Sequence, residues 1–194
     1  MSSWHERVAM KNEPREASRK ALRQELIARR AAFAQSSQIT EAQVAISAHL
    51  RTVLEQLEPD VLGLYSPIAS EFNPIHAVSI DCNPQLALPF AQREPVRMHY
   101  RLWDGAVSSV LDECGIASSD GKLCVPDVIL VPCVGFTAQR FRLGYGGGYF
   151  DRWLALNPGV TAIGVAWSNQ QCEFASAAHD QALDLIVTEQ GVFS

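Results

Sequence analysis

The chain predicts an α/β fold, a sandwich of helices around a mostly parallel sheet. Three observations carry that expectation. Two N-terminal segments repeat apolar residues at helical spacing, short apolar runs of strand length follow them, and the later runs alternate with a helical segment.

The elements follow in order. Residues 1–14 are polar and read as a flexible tail, and residues 15–194 read as a single domain. "SRKALRQELIARRAAF" (Ser18–Phe33) places Leu22, Leu26 and Phe33 near one helical stripe and Arg19 and Arg23 one turn apart on another. "TEAQVAISAHLRTVLEQL" (Thr40–Leu57) opens with a Thr-x-x-Gln capping pattern and continues with Val44, Leu50, Val53, Leu54 and Leu57. The period then changes. "DVLGLYSP" (Asp60–Pro67) and "LALPFA" (Leu86–Ala91) are strand candidates. "VRMHYRLW" (Val96–Trp103) alternates apolar and polar residues, the pattern of a half-buried strand. "DVILVP" (Asp127–Pro132), "TAIGVAW" (Thr161–Trp167) and "DLIVT" (Asp184–Thr188) have the continuous apolar character of parallel strands buried on both faces. Between them, "YFDRWLALN" (Tyr149–Asn157) reads as a short helix stopped by Asn157-Pro158-Gly159.

Bulk properties exclude several classes. The 194 residues are 47% hydrophobic with a net charge of -5, so one sizeable core is affordable and a general nucleic-acid binder is disfavoured. Positive charge nevertheless gathers near the N-terminus, at Arg15, Arg19, Lys20, Arg23, Arg29 and Arg30. This is either a solvated helix face or a local anion site. Five cysteines (82, 114, 124, 133 and 172) form no CxxC pair, which fits reduced thiols in a cytoplasm. The histidines form no metal-binding pair, and no apolar run is long enough for a membrane span.

Chemistry concentrates in "RLGYGGGYFDRW" (Arg142–Trp153), a glycine run between a strand and a helix start. A helix N-terminus exposes unpaired N–H groups and the positive end of the dipole, and glycines before it let an anion approach the backbone. A tight turn would explain one glycine, but Gly144, Gly146, Gly147 and Gly148 together point to phosphate. Neither the Walker A nor the G-x-G-x-x-G spacing fits, so spacing alone leaves the loop unnamed. Arg142 is a surface arginine or a phosphate clamp, and Asp151 a helix-dipole partner or a Mg²⁺ ligand. Tyr65, Trp103 and Phe136 are core aromatics or stacking platforms, while Cys133 and the histidines read as structural.

The segment "PCVGFTAQRFRLGYGGGYFDR" resembles the hallmark of the 5-formyltetrahydrofolate cyclo-ligase family. "RKALRQELIARR", "LYSPIASEFNP" and "HDQALDLIVTE" are similar to other family segments, in the same order. Departures from the family pattern stand at Thr137, Arg140 and Gly115–Ser119. The resemblance implies a three-layer α/β/α sandwich. It implies an ATP- and Mg²⁺-dependent conversion of 5-formyltetrahydrofolate to 5,10-methenyltetrahydrofolate through a phosphorylated formyl group, releasing ADP and phosphate. It assigns Arg19, Arg23 and Arg142, Leu143, Gly144, Tyr145, Gly146, Gly147, Gly148, Tyr149 and Phe150 to ATP. Glu71 and the stretch from Tyr145 to Tyr149 fall to the folate, Asp151 and Asp184 to Mg²⁺, and Arg142 and Tyr149 to catalysis. The expected protein is a cytoplasmic monomer that uses ATP and a reduced folate and engages neither nucleic acid nor membrane. The alternatives are a related ATP-using enzyme with a changed substrate and a non-catalytic folate- or nucleotide-binding protein.

Overall fold

The computed structural model describes residues 4–78, 84–107, 109–176 and 180–194, and before Ser18 only the backbone. Helix α1 spans Trp4–Ala34 and α2 spans Ile39–Leu57. Strands β1 (Val61–Gly63), β2 (Gln85–Gln92), β3 (Arg97–Trp103), β4 (Leu123–Cys124) and β5 (Val128–Pro132) follow. A hairpin of β6 (Gly135–Phe136) and β7 (Arg142–Leu143) precedes helix α3 (Tyr149–Leu156). Strands β8 (Thr161–Val165), β9 (Leu185–Thr188) and β10 (Gly191–Phe193) complete the chain.

Eight strands form one sheet in the order β10-β9-β8-β5-β1-β2-β3-β4. The five central strands, β9 to β2, run parallel. The flanking pairs β9/β10, β2/β3 and β3/β4 are antiparallel. Alternate residues of each central strand feed opposite faces, as a period of two requires. Leu62, Val128, Leu130, Ile163 and Val187 pack on one face against Ile46, Leu50 and Leu54 of α2. Ile129, Val131, Ala162 and Ile186 pack on the other against Trp153 and Leu154 of α3. Each large aliphatic side chain so buried contributes roughly 1.5–3 kcal/mol. The result is the expected α/β sandwich with helices on both faces of the sheet.

Several local expectations are corrected. Helical backbone begins at Trp4, so α1 runs through residues 4–14 of the segment read as a tail; Glu6, Arg7, Ala9, Met10, Lys11 and Glu13 are the residues there that favour helix. Residues 1–3 lie outside the described residues, as do Cys82 and His179. Thr40 does not cap α2: the helix starts one residue earlier, after Gln38, with no side-chain cap. Val44 and Leu57 are exposed rather than part of the buried stripe, which is carried by Ala42, Ile46, Leu50, Val53 and Leu54. Trp103 and Phe136 are core residues: Phe136 is fully buried and Trp103 packs against the α2-side core.

Candidate active site

Strand order locates the site. From β1 the chain steps one way to β2 and the other way to β5, β8 and β9, so the order reverses between β1 and β5. Loops leaving two such strands diverge at their carboxyl ends and open a crevice. A cavity of about 420 Å³ occupies that position. Tyr65 and Ser66 follow β1, and Pro132 ends β5; all three line it. Pro89, Ala91, Met98 and Ile116 give it one apolar wall, and the glycine loop with α3 gives it the other.

Arg19, Arg23, Glu71, Asp151 and every residue from Arg142 to Phe150 line this cavity. Two glycines have backbone conformations that side chains resist: Gly146 has φ +97° and Gly148 φ +62°. Gly148 is the N-cap of α3, no side chain caps that end, and Gly148, Tyr149, Phe150 and Asp151 all line the cavity. Arg142 is nearly buried; its NH2 donates to Asp151 Oδ1 at 2.9 Å, its guanidinium lies 5.3 Å from the Phe150 ring centre, and its buried Nε has no partner. Arg23 Nε donates to the Gly144 carbonyl at 2.9 Å. Arg19 pairs with Asp180 and donates to the Ala175 carbonyl. The N-terminal helix therefore reaches a loop 121 residues away in sequence. Of the arginine cluster, Arg19 and Arg23 line the cavity, whereas Arg29 is exposed and pairs with Glu25.

A second polar group lies where the glycine loop meets the end of β1. Tyr145 Oη donates to Glu71 Oε1 at 2.8 Å, and Arg30 donates to both, at 3.3 Å to Glu71 Oε1 and 2.5 Å to Tyr145 Oη. Glu71 Oε2 takes the Ile68 amide at 2.9 Å. Burial pushes the Glu71 carboxyl above the ordinary glutamate range, while the Ile68 amide, Arg30 and Tyr145 pull it back. Burial, with Glu71 next, pushes Tyr145 up to about 12, so its hydroxyl keeps its proton near neutrality. Tyr65 is buried and donates to the Phe72 carbonyl at 2.8 Å. Tyr149 Oη lies 3.4 Å from Cys114 Sγ on the opposite rim. Burial raises the Cys133 thiol to about 12, which leaves it inert and structural.

The two carboxylates assigned to metal part company. Asp151, in the first turn of α3, lines the cavity. Asp184 does not: its Oδ2 accepts the Ala162 amide at 2.7 Å, at the beginning of β8. The physical reason lies in strand direction. A residue just before a parallel strand sits at the amino-terminal edge of the sheet, opposite the ligand crevice. The late carboxylate that does line the cavity is Asp180, four residues earlier in "HDQALD". Among the described residues no group of three His, Cys, Asp or Glu side chains stands ready to hold a metal.

Three contributors went unmarked in the sequence. Asp180 shares the segment "HDQALD" with Asp184, and no local pattern tells the two apart. Arg30 is buried, but looked like one of many arginines on a polar helix. Asp112 lines the cavity and folds its rim: Oδ1 accepts the Cys114 and Ile116 amides, and Oδ2 accepts Ala91 N–H. An aspartate two residues before Cys114-Gly115 is a turn signal that was there to be found. The departures at Thr137 and Arg140 sit at the turn of the β6–β7 hairpin, where Thr137 Oγ1 accepts the Phe141 amide and Arg140 Nε donates to the Leu183 carbonyl. Neither lines the cavity, whereas Ile116 of the third departure does.

Comparison with known proteins agrees with this architecture. The 5-formyltetrahydrofolate cyclo-ligase family model matches residues 15–189, and the chain belongs to that family. It is 42% identical over 65 residues to a 5-formyltetrahydrofolate cyclo-ligase of Mycoplasma pneumoniae, a match covering 33% of this chain and 40% of that protein. The Mycoplasma genitalium 5-formyltetrahydrofolate cyclo-ligase is 37% identical over 62 residues, covering 31% and 38%. These matches therefore span well under half of either relative. In fold, the chain is similar to the 5,10-methenyltetrahydrofolate synthetase of M. pneumoniae, with TM-score 0.68 and 23% identity over 88% of this chain and 98% of that one. The Aquifex aeolicus 5,10-methenyltetrahydrofolate synthetase gives TM-score 0.65 and 24% identity, covering 90% and 91%. No helix among the described residues is long and apolar enough to cross a membrane.

Proposed function

We propose that the protein closes 5-formyltetrahydrofolate to 5,10-methenyltetrahydrofolate at the expense of ATP. The observation that carries this reading is the division of one cavity into two halves. One half offers arginines, an uncapped helix N-terminus and glycine backbone; the other offers the apolar Pro89, Ala91, Met98 and Ile116, with the buried Glu71 carboxylate where the glycine loop meets the end of β1. The first suits phosphates and the second a flat heterocycle with N–H donors. Family membership and the names of the relatives support the folate substrate.

An amide oxygen is a poor leaving group. Transfer of the terminal phosphoryl group of ATP to the formyl oxygen makes it a good one. The neighbouring folate nitrogen then attacks the formyl carbon, the C–O bond breaks, and the oxygen departs within inorganic phosphate. Such a reaction asks the protein for alignment and charge compensation rather than a nucleophile. Arg142, with its unpartnered Nε, Arg23 beside Gly144 and the N–H groups at Gly148–Phe150 supply donors for phosphate oxygens. Glu71 would accept N–H bonds from the folate ring, and Tyr149 would border the reacting half. Mg²⁺ takes one or two carboxylates with phosphate oxygens and water, and Asp151 and Asp180 fit that demand as hard oxygen donors at the cavity. When bound, it would offset charge on the phosphates.

The test is an absorbance assay for methenyltetrahydrofolate made from 5-formyltetrahydrofolate. Formation that needs both ATP and Mg²⁺ is the expected result. A folded protein that forms no product, or forms it equally well without ATP, would overturn the reading.

A further inference from the structure

We infer that Arg30 is a positioning residue that ties the substrate-side carboxylate Glu71 to the phosphate loop through Tyr145, so that each half of the cavity senses occupancy of the other. The inference rests on the functional reading above.

Its basis is a stripe on α1. Residues 19, 23, 26 and 30 fall within about 60° of one another at 3.6 residues per turn. Arg23 holds the Gly144 carbonyl, and Leu26 is buried with Val134 and Leu143 beneath the loop. Arg30 then reaches Tyr145, the next residue along. Helix α1 thus grips two consecutive residues of the glycine loop. Arg30 is 1% exposed and the Glu71 side chain 4%, so neither charge has water to fall back on. A buried pair of this kind resists loss of either member.

The triangle is closed and almost saturated. Arg30 donates to Glu71 and Tyr145, Tyr145 donates to Glu71, and the Ile68 amide takes the other carboxylate oxygen. A ligand N–H that engages Glu71 Oε1 must share or replace the Tyr145 hydroxyl, whereas Oε2, which holds the Ile68 amide, keeps a second lone pair open. Tyr145 is itself a loop residue between Gly144 and Gly146, and its displacement moves the backbone that would receive phosphate. Arg30 keeps Glu71 as an ionised acceptor while this exchange happens. The titratable groups that face Glu71 are Arg30 from α1, Tyr145 from the loop, and Tyr65 and Cys133 from the ends of β1 and β5. Arg30 and the Ile68 amide favour the carboxylate; burial opposes it.

The test uses Arg30→Met, Arg30→Lys and Tyr145→Phe in the full chain, each checked for folding by circular dichroism. ADP binding is titrated by calorimetry with and without 5-formyltetrahydrofolate, and turnover is followed against pH. The wild type should bind ADP with a different affinity when the folate is present, and Tyr145→Phe should bring the two affinities within twofold. Arg30→Met should raise the folate KM at least tenfold and move the acid limb of turnover to higher pH, with Arg30→Lys partly restoring both. A folded Arg30→Met with unchanged folate KM and acid limb, or a folded Tyr145→Phe that keeps the full difference in ADP affinity, overturns the inference. So does a wild type whose ADP affinity ignores the folate. An inactive wild type would instead sink the functional reading itself. If Arg30→Met does not fold, the Tyr145→Phe titration decides alone.

Discussion

Replacing Asp180 and Asp184 separately with asparagine isolates which carboxylate belongs to the active site. The Asp184 side chain holds the Ala162 amide at 2.7 Å, at the amino-terminal edge of the sheet. Asparagine keeps an acceptor oxygen there and loses only the charge, so the cost is a weakened hydrogen bond, about 1 kcal/mol. That should appear as a small loss of thermal stability with no change in the Mg²⁺ requirement. Asp180 lies against Arg19, with side chains 8% and 11% exposed. Its replacement leaves Arg19 without that counter-charge, although the Ala175 carbonyl and the Phe174 ring still engage it. Arg19 is then freer to meet an anion, while one carboxylate for the metal is gone. Half-saturating Mg²⁺ should rise at least tenfold, about 1.4 kcal/mol. ATP without Mg²⁺ should bind no more weakly than to the wild type. The assay is product formation titrated with Mg²⁺ at fixed ATP, alongside calorimetry without metal. An Asp184→Asn variant that loses the Mg²⁺ response while Asp180→Asn keeps it would refute the placement of the metal carboxylates.

Three further outcomes are expected. Arg23→Ala should weaken ADP binding by about 1–3 kcal/mol, the range of a charge-assisted hydrogen bond, in a titration by calorimetry; unchanged affinity would return Arg23 to a purely structural role at Gly144. Gly146→Val places a β-branched residue at φ +97°, so ADP affinity should fall at least tenfold while circular dichroism reports an intact fold. Because burial raises the Glu71 carboxyl above the ordinary glutamate range, its ionised form is lost early as pH falls, and the acid limb of turnover should lie above that range and vanish from the residual activity of Glu71→Gln.

Much of this fold was legible because its strands are buried on both faces. Val128–Pro132 and Thr161–Val165 announce themselves as apolar runs, and Arg97–Trp103 by its alternation. The two-residue strands β4, β6 and β7 carry no period to read, and the edge strand β10 is only three residues long. At the site, the glycine loop was legible because its composition is hard to explain by packing alone. Asp180 and Asp184 were not separable by motif. Strand direction separates them, since Asp184 immediately precedes β9 and so belongs to the edge away from the crevice. Arg30 was hidden for a different reason. Its burial depends on the loop after β1 and on Tyr145, 115 residues later, and no local pattern reports a partner so distant.

The most direct measurement follows the formyl oxygen. 5-Formyltetrahydrofolate carrying ¹⁸O in its formyl group is turned over with unlabelled ATP, and the phosphate released is analysed by mass spectrometry. Phosphoryl transfer to the formyl oxygen predicts one ¹⁸O atom in each inorganic phosphate. Unlabelled phosphate, with the ¹⁸O released as water, would contradict it.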